Sequence, residues 1–424
     1  MKESNRHATA HRARLLATLR VQYPDTLAEQ GFRLLHPTSG EPYTDHRRHL
    51  VATCRSISNF AVGAIVDGSD WCLDAAEHGL AFLEEGHRDG GDSYHLLVDA
   101  DGTPLDKTRS VYGHAFVLLA YARATEAGID GAEDGLAAIH ELIENRLRDD
   151  AGMLRSDCAS DWTEQEAYRG QNANMHACEA YLAAYEATEK TEYLDRARHI
   201  AHTVTVDLAA ETNGLLWEHY TDDWEHDFGY NEDEPRHQFR PPGYQPGHHV
   251  EWARFLALLD RYDDVTMVDT DDDVYAPEGG WYARALALFE AAVDNGWREK
   301  GFIYTHEEDG TPIVPDQYGW ALAEAIGASA ALIERATAND DTDAADRLRK
   351  LNCQFLASID RYRGPAGLWY EKRLAADDGG DFVAPDPPGI EPDYHPASAF
   401  YECWRSTRDV QPDDRPLTTT NADD

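Results

Sequence analysis

Residues 169–187 read RGQNANMHACEAYLAAYEA. From Asn172 onward, Met175, Cys178, Tyr181, Leu182 and Tyr185 recur every three or four positions, the stripe of a helix over 172–187. Asn172, His176 and Glu179 stand at i, i+4 and i+7, so they share one face of it. Taken alone, His176 reads as a satisfied core histidine. Asn172, one turn nearer the start of the helix, adds a sugar-contacting reading.

The same test applied outward gives eleven more helices, over 8–22, 46–66, 70–85, 109–127, 132–148, 192–207, 248–261, 279–294, 316–336, 342–360 and 394–406. Their connections alternate. Tight turns follow the second, fourth, sixth and tenth helices. Long segments rich in Gly, Pro and aromatics follow the first, third, fifth, seventh, ninth and eleventh. Two of these, YHLLVDADGTPLD at 94–106 and GFIYTHEEDGTPIVPD at 301–316, place Asp-Gly between extended runs and predict hairpins. The longest and most aromatic connection spans 213–245. Six helix pairs with long loops on one side and tight turns on the other describe an all-α (α/α)6 barrel with β-hairpin loops at one mouth.

A second recurrence supports this. Arg55, Tyr112, Asn172 with His176, His248 with Glu251, Trp320 and His395 fall at the start of every second helix, each about two helices and their connections after the last. If every second helix lines a ring, these residues meet at one mouth. In FRPPGYQPGHHVEWARF, Pro246-Gly247 ends the loop and His248 opens the helix. There the positive end of the helix dipole favours neutral imidazole, the form a general base needs. Glu251, one turn on, is positioned to hold that ring and set its tautomer, or else to cap backbone amides. His249 points elsewhere and is read as structural, as is His114. His395 precedes Pro396, a residue suited to a first helical turn. Arg55 and Arg240 are candidates for hydroxyl or anion binding, with surface ion pairs as the alternative. Trp252 and Trp320 stack on a sugar or pack in the core.

Composition narrows the rest. The chain has 424 residues, 42% of them hydrophobic, and no Pro/Gly/Ser linker divides it. One catalytic domain is expected over 1–408, followed by a disordered acidic tail over 409–424. The 38 basic and 79 acidic residues leave a net charge of −41. That balance disfavours nucleic acid and anionic membranes as partners and is read as adaptation to high salt. Six cysteines without a Cys-x-x-Cys pair fit free thiols in a reducing cytoplasm. The N-terminus lacks the apolar segment of a signal peptide, and no apolar run approaches the ~18 residues of a membrane span. A cytoplasmic protein is therefore expected, with self-association into a homo-oligomer left open. The carboxylates of 268–280 faintly suggest a calcium loop, but Val274 stands where that loop requires glycine, so a solvated acidic loop is preferred. No HExxH spacing, phosphate loop, GxGxxG or GxSxG occurs, and no metal or cofactor is expected.

With these strings on the page, the chain resembles the N-acylglucosamine 2-epimerase superfamily from about residue 10 to 406. It is most similar to the aldose–ketose isomerase branch, of the mannose isomerase and sulfoquinovose isomerase types. The strings that carry the resemblance are RSISNFA around Arg55, VYGHAFVLLAYA around Tyr112, RGQNANMHACEA, FRPPGYQPGHHVEW, WALAEA at 320–325 and DYH at 393–395. The resemblance implies an (α/α)6 barrel with a metal-independent site for a monosaccharide. His248 and His395 match the catalytic pair. Arg55, Tyr112, Asn172, His176, Arg240, Glu251 and Trp320 match sugar-contacting positions. The implied reaction is aldose–ketose isomerisation through an enediol, with mannose to fructose first among substrates and lyxose to xylulose next. A 2-epimerase uses the same intermediate and stays open as an alternative. Sulfoquinovose needs a cationic pocket; Arg55 would help, but Glu391 near His395 would oppose it. A glycoside hydrolase would have to use Glu179 and Glu251 as its carboxylate pair and would leave the histidines without a task. A non-catalytic sugar-binding protein would need neither His248 nor His395.

The charge excess carries the first prediction. Self-repulsion among surface carboxylates is screened only at high ionic strength, so helix content and activity should rise along a salt series. Full stability by circular dichroism and full activity at ~0.05 M salt, where such charges are poorly screened, would contradict the salt-adaptation reading.

Overall fold

The structure is a computed structural model that describes residues 4–44, 46–266, 275–385 and 393–408. Most of the acidic segment 268–280, Glu391 and the tail 409–424 lie outside them. Among the described residues there are twelve α-helices: α1 Ser4–Gln22, α2 Leu50–Ile65, α3 Trp71–Phe82, α4 Val111–Glu126, α5 Ala132–Leu142, α6 Gln171–Thr188, α7 Thr191–His202, α8 Pro246–Thr266, α9 Gly280–Gly296, α10 Gly319–Ala338, α11 Thr342–Ile359 and α12 Tyr394–Ser406. None is long and apolar enough to cross a membrane.

The even-numbered helices form a closed inner ring, each packed on the next, with α12 returning to α2. Each odd-numbered helix from α3 to α11 lies outside the inner helix before it, and α1 lies outside α12, so the ring is completed by its two ends. Burial follows from this. In α2 every residue from Leu50 to Gly63 is buried, as expected of a helix covered on all sides. In α5 only Ala132, Leu136, Ile139 and Leu142 are buried, one stripe of an outer helix.

The long connections carry short antiparallel strands that lead into the inner helices. Strands β1 Arg47–His49, β2 Leu97–Asp99 and β3 Pro104–Asp106 form one sheet in that order. Strands β4 Arg169–Gly170 and β5 His219–Tyr220 pair with each other. The third sheet has the order β10-β9-β8-β7-β6, from β6 Trp297–Arg298, β7 Gly301–His306, β8 Pro312–Tyr318, β9 Lys372–Arg373 and β10 Phe382–Val383. Both expected hairpins are present, as β2–β3 and β7–β8. They explain two shifted boundaries: the helices expected to begin at 46 and 316 begin at Leu50 and Gly319, because the preceding residues are strand. Three outer helices end short of their expected limits for another reason. After Phe82, Leu142 and His202 the chain widens into a single π turn, closed by amides of Arg88, Arg148 and Leu208 on the carbonyls of Leu83, Ile143 and Thr203.

All six cysteines are free, and only Cys353 is exposed. At the end of the barrel away from the hairpins, the C-terminal turns of the inner helices are tied by buried ion pairs. Glu186 of α6 accepts from Arg123 of α4 at 2.5 Å and from Arg405 of α12 at 2.6 Å. Arg261 of α8 reaches Glu402 of α12 at 3.0 Å. Burial works against ionisation of Glu186, but Arg405 and Arg123 outweigh it and hold the carboxyl down to about 2. Its contribution is therefore present above the ~4.3 of an unfolded glutamate and disappears as pH falls towards 2. Arg405→Met, which leaves Glu186 and Glu402 short of a buried partner, should lower unfolding free energy by roughly 3–5 kcal/mol in denaturant titrations at neutral pH. Much of that deficit should vanish near pH 3.

Candidate active site

The six inner helices begin at the same mouth, and their first turns supply a chamber lined by Arg55, Tyr112, Asn172, His176, His248, Glu251, Trp320 and His395. Local chemistry sets each of these turns. His49 Nδ1 accepts from Val51 N at the start of α2. Ser110 Oγ accepts from Gly113 N, and Asp157 accepts from Val111 N at 2.8 Å, at the start of α4. Pro246 opens α8 at a position where no amide is needed. A Cβ on Gly247 would stand 2.3 Å from the Trp320 ring, so glycine there lets the indole lie against the first turn of α8.

His248 and His395 come from α8 and α12, the two inner helices beside α10, and lie with ring centroids 5.3 and 5.7 Å from the Trp320 indole. Each imidazole is gripped at Nδ1 by a buried carboxylate. His248 Nδ1 donates to Glu218, 2.9 Å from both oxygens. His395 Nδ1 donates to Glu324 Oε1 at 2.7 Å. His176 follows the same pattern, 3.0 Å from Glu179 Oε2. A carboxylate can only accept, so Nδ1 keeps its proton in each ring and Nε2 carries the lone pair.

Glu218 corrects one expectation. Glu251, three residues after His248, does not hold that ring; its nearest imidazole is His176, at 3.9 Å from Nδ1. The two side chains leave the first turn of α8 in different directions. His248 Nδ1 turns outward to the long connection, where β5 pairs with β4 just before α6 and brings Glu218 alongside. Gln171 Nε2 donates to Glu218 Oε2 at 2.7 Å, and Trp252 Nε1 donates to Gln171 Oε1 at 2.7 Å, which fixes the way the amide points. Trp252 is thus a buried clamp and not a stacking platform. His249 is structural as expected: Nδ1 meets the Gln245 carbonyl and Nε2 accepts from Leu216 N.

Arg254 of α8 organises the floor. Its Nε lies 3.0 Å from Glu324 Oε2, and its Nη2 donates to Glu179 Oε1 at 3.1 Å. Glu251 sits among the same carboxylates. Burial, then the charges of Glu324 and Glu179, push its carboxyl well above the usual range, which favours the protonated form. Burial also lowers the imidazoles: His176 falls to about 4, and His395 falls well below the ordinary histidine value with Arg55 adding to the effect. Glu324 is raised by burial to about 7, against the pull of Arg254. Arg55 Nη2 donates to Tyr112 OH at 3.0 Å, and its guanidinium lies over Phe116 and Tyr394.

Two groups of side chains converge closely enough to hold a cation: His176, Glu179 and Glu251, and Glu251, Glu324 and His395, their ligand atoms within 4.8 Å of one another. A cation at either would share its carboxylates with the fixed guanidinium of Arg254. Glu179 and Glu251, the pair considered for a hydrolase, are both buried, and Glu179 is neutralised by Arg254.

Of the nine residues expected from sequence, eight line this chamber and Arg240 does not. Its guanidinium lies 4.2 Å from the Tyr168 ring centroid and pairs with Glu166, in a neighbouring cavity. The residues that sequence reasoning missed are Glu218, Glu324 and Arg254. Arg254 had a local signal: it lies three residues after Glu251, on the same helix face.

The architecture agrees with that of known proteins. The family model for N-acylglucosamine 2-epimerase (GlcNAc 2-epimerase) matches residues 31–399. The chain belongs to this family. It is 35% identical to a D-mannose isomerase from Marinomonas mediterranea, over 93% of this chain and 96% of the relative. It is 38% identical to a D-mannose isomerase from Thermobifida fusca, over 77% and 79% of the two chains. A crystal structure of a D-mannose isomerase superimposes with a TM-score of 0.83 at 32% identity, over 94% of this chain and 98% of that one.

The Glu324–His395 pair should be visible in the pH profile. Protonating Glu324 removes the acceptor that keeps the proton on His395 Nδ1. Turnover should therefore rise with pH through about 7 and level off above it. Glu324→Gln should abolish that limb and lower kcat by ~100-fold, the scale of one acid–base group. An unchanged profile in a folded Glu324→Gln protein would remove the pair from the mechanism.

Proposed function

We propose that the protein interconverts D-mannose and D-fructose by proton transfer through a cis-enediol. The observation that carries this reading is the pair of carboxylate-held imidazoles, His248 on Glu218 and His395 on Glu324, beside one indole. The identity with D-mannose isomerases over nearly the whole chain supports it.

The open-chain sugar lies with C1 and C2 over Trp320. One imidazole Nε2 takes the proton from C2, the C1 carbonyl becomes a hydroxyl, and an enediol forms. Returning the proton to C1 while O2 becomes the carbonyl gives the ketose. The proton on Glu251 and the guanidinium of Arg55 are hydrogen-bond donors for the oxygen that gains charge along the way. Each imidazole presents Nε2 with its Nδ1 held by a carboxylate, so either can begin as base and finish as the acid.

One observation favours a second reading. His248 and His395 come from different helices, on either side of α10, so two groups can reach opposite faces of C2. Delivery to C2 from the opposite face would yield glucose, the product of a 2-epimerase.

Mannose in deuterated water, followed by NMR from the first minutes, separates the two. Fructose should be the first product, with or without deuterium at C1. Glucose forming first, without free fructose, would replace isomerisation by epimerisation. His248→Asn and His395→Asn should each lower kcat by at least ~100-fold with the fold intact, and near-normal turnover in either would remove that histidine from the reaction.

A further inference from the structure

Gln245 lines the catalytic chamber, and the reaction above leaves its side chain without a task. Its main chain is pinned on both sides. Just before it, Tyr244 N donates to His306 O of β7 at 2.9 Å, and His306 N donates to Tyr244 O at 3.0 Å. The Gln245 carbonyl itself accepts from His249 N at 3.2 Å and from His249 Nδ1 at 2.8 Å. That carbonyl opens the ladder of α8, so Gln245 stands at the capping position, with Pro246, Gly247 and His248 as the first three residues of the helix. Serine, threonine, aspartate and asparagine suit that position, because their short side chains reach the free amides of the first turn; glutamine does not.

The side-chain amide is placed for a ligand instead. Gln245 is 2% exposed, and its Nε2 has no hydrogen-bond partner among the described residues. A buried amide without a partner is costly, and a sugar hydroxyl entering the chamber supplies one. At the start of a helix, the side chains of the capping residue and of the third helical residue lie next to each other. Here the third residue is His248, so the amide stands beside the imidazole that exchanges the proton of C2. His248 does not depend on it for support: Glu218 holds Nδ1, and Gln171 and Trp252 hold Glu218. Of the sugar hydroxyls on carbons that take no part in the reaction, the one on C3 is nearest to C2.

We infer that Gln245 is a specificity-determining residue of this site, whose side-chain amide hydrogen-bonds the C3 hydroxyl of the open-chain aldose. The inference rests on the isomerase reading for where C2 lies. No bond is made or broken at C3, so the contact is present in substrate and transition state alike and acts on binding.

The contact is tested by removing it from both sides. Gln245→Met keeps the length and unbranched shape of the side chain and removes the amide; Gln245→Asn keeps the amide and draws it back by one methylene. The analogue 3-deoxymannose lacks the hydroxyl, whereas lyxose keeps it and lacks C6. Both variants should cut kcat/KM for mannose and for lyxose about tenfold, through KM, with kcat within about threefold. On the native protein, 3-deoxymannose should be about tenfold poorer than mannose, and neither variant should lower its kcat/KM by more than about twofold. Equal effects on mannose and 3-deoxymannose, none included, would overturn the inference. So would a loss confined to kcat, the sign of a displaced His248, or a lyxose reaction that neither variant impairs. Binding separates this inference from the reaction it rests on. If mannose binds but is not isomerised, the same crossed pattern in calorimetric dissociation constants supports the contact; its absence, like failure of mannose to bind, overturns it.

Discussion

The guanidinium of Arg254, buried at the floor of the barrel, links two of the carboxylates on which the chamber depends. It bonds Glu324, which holds His395, and Glu179, which holds His176. Without that cation, Glu179, Glu251 and Glu324 would face one another in a low-dielectric interior, where like charges are strongly opposed. With it, two of them remain able to accept a proton-bearing Nδ1, and the third is left as a neutral acid. The setting of two imidazoles and one carboxyl thus follows from the placing of one arginine.

The ring supplies the precision. Each inner helix is covered on all sides, so its rotation is set by packing and not by the residues of the site. The hairpins and short strands at the mouth then fix where each helix begins. The β4–β5 pair shows how far this reaches. It brings Glu218 from the early part of the longest connection to His248, and Gln171 and Trp252 hold the carboxylate there. At the other end, Glu186, Arg123 and Arg405 tie the C-terminal turns of α4, α6 and α12 together.

Burial serves the chemistry as well as the fold. Removing water lowers His176 and His395 and raises Glu251 and Glu324, which gives neutral bases and a neutral acid in one small space. Such a set suits a reaction that moves a proton between adjacent carbons and forms no lasting charge. The neighbouring cavity lies outside this region, with Arg240 held there by Glu166 and by the Tyr230 hydroxyl.

The sequence by itself determined the helices, their alternation, and the six entrances from which the chamber is built. These are local properties: the stripe of Met175, Cys178, Tyr181, Leu182 and Tyr185 states which face of α6 is buried, and the Asp-Gly turns state where the hairpins fold back. Eight of the nine candidate residues line the chamber, because their recurrence near the start of every second helix, together with the family strings, marks one mouth of the ring. The tertiary structure alone decided who holds whom. Glu218 and His248 are 30 residues apart, and Glu324 and His395 are 71 apart. No periodicity connects them, and Glu251, the nearer candidate, took the role of a buried acid instead. The same is true of Arg240, whose string resembles a sugar-contacting motif but whose loop carries it into the neighbouring cavity. Helical spacing fixes a face; only closure of the ring brings faces from distant parts of the chain within hydrogen-bonding distance.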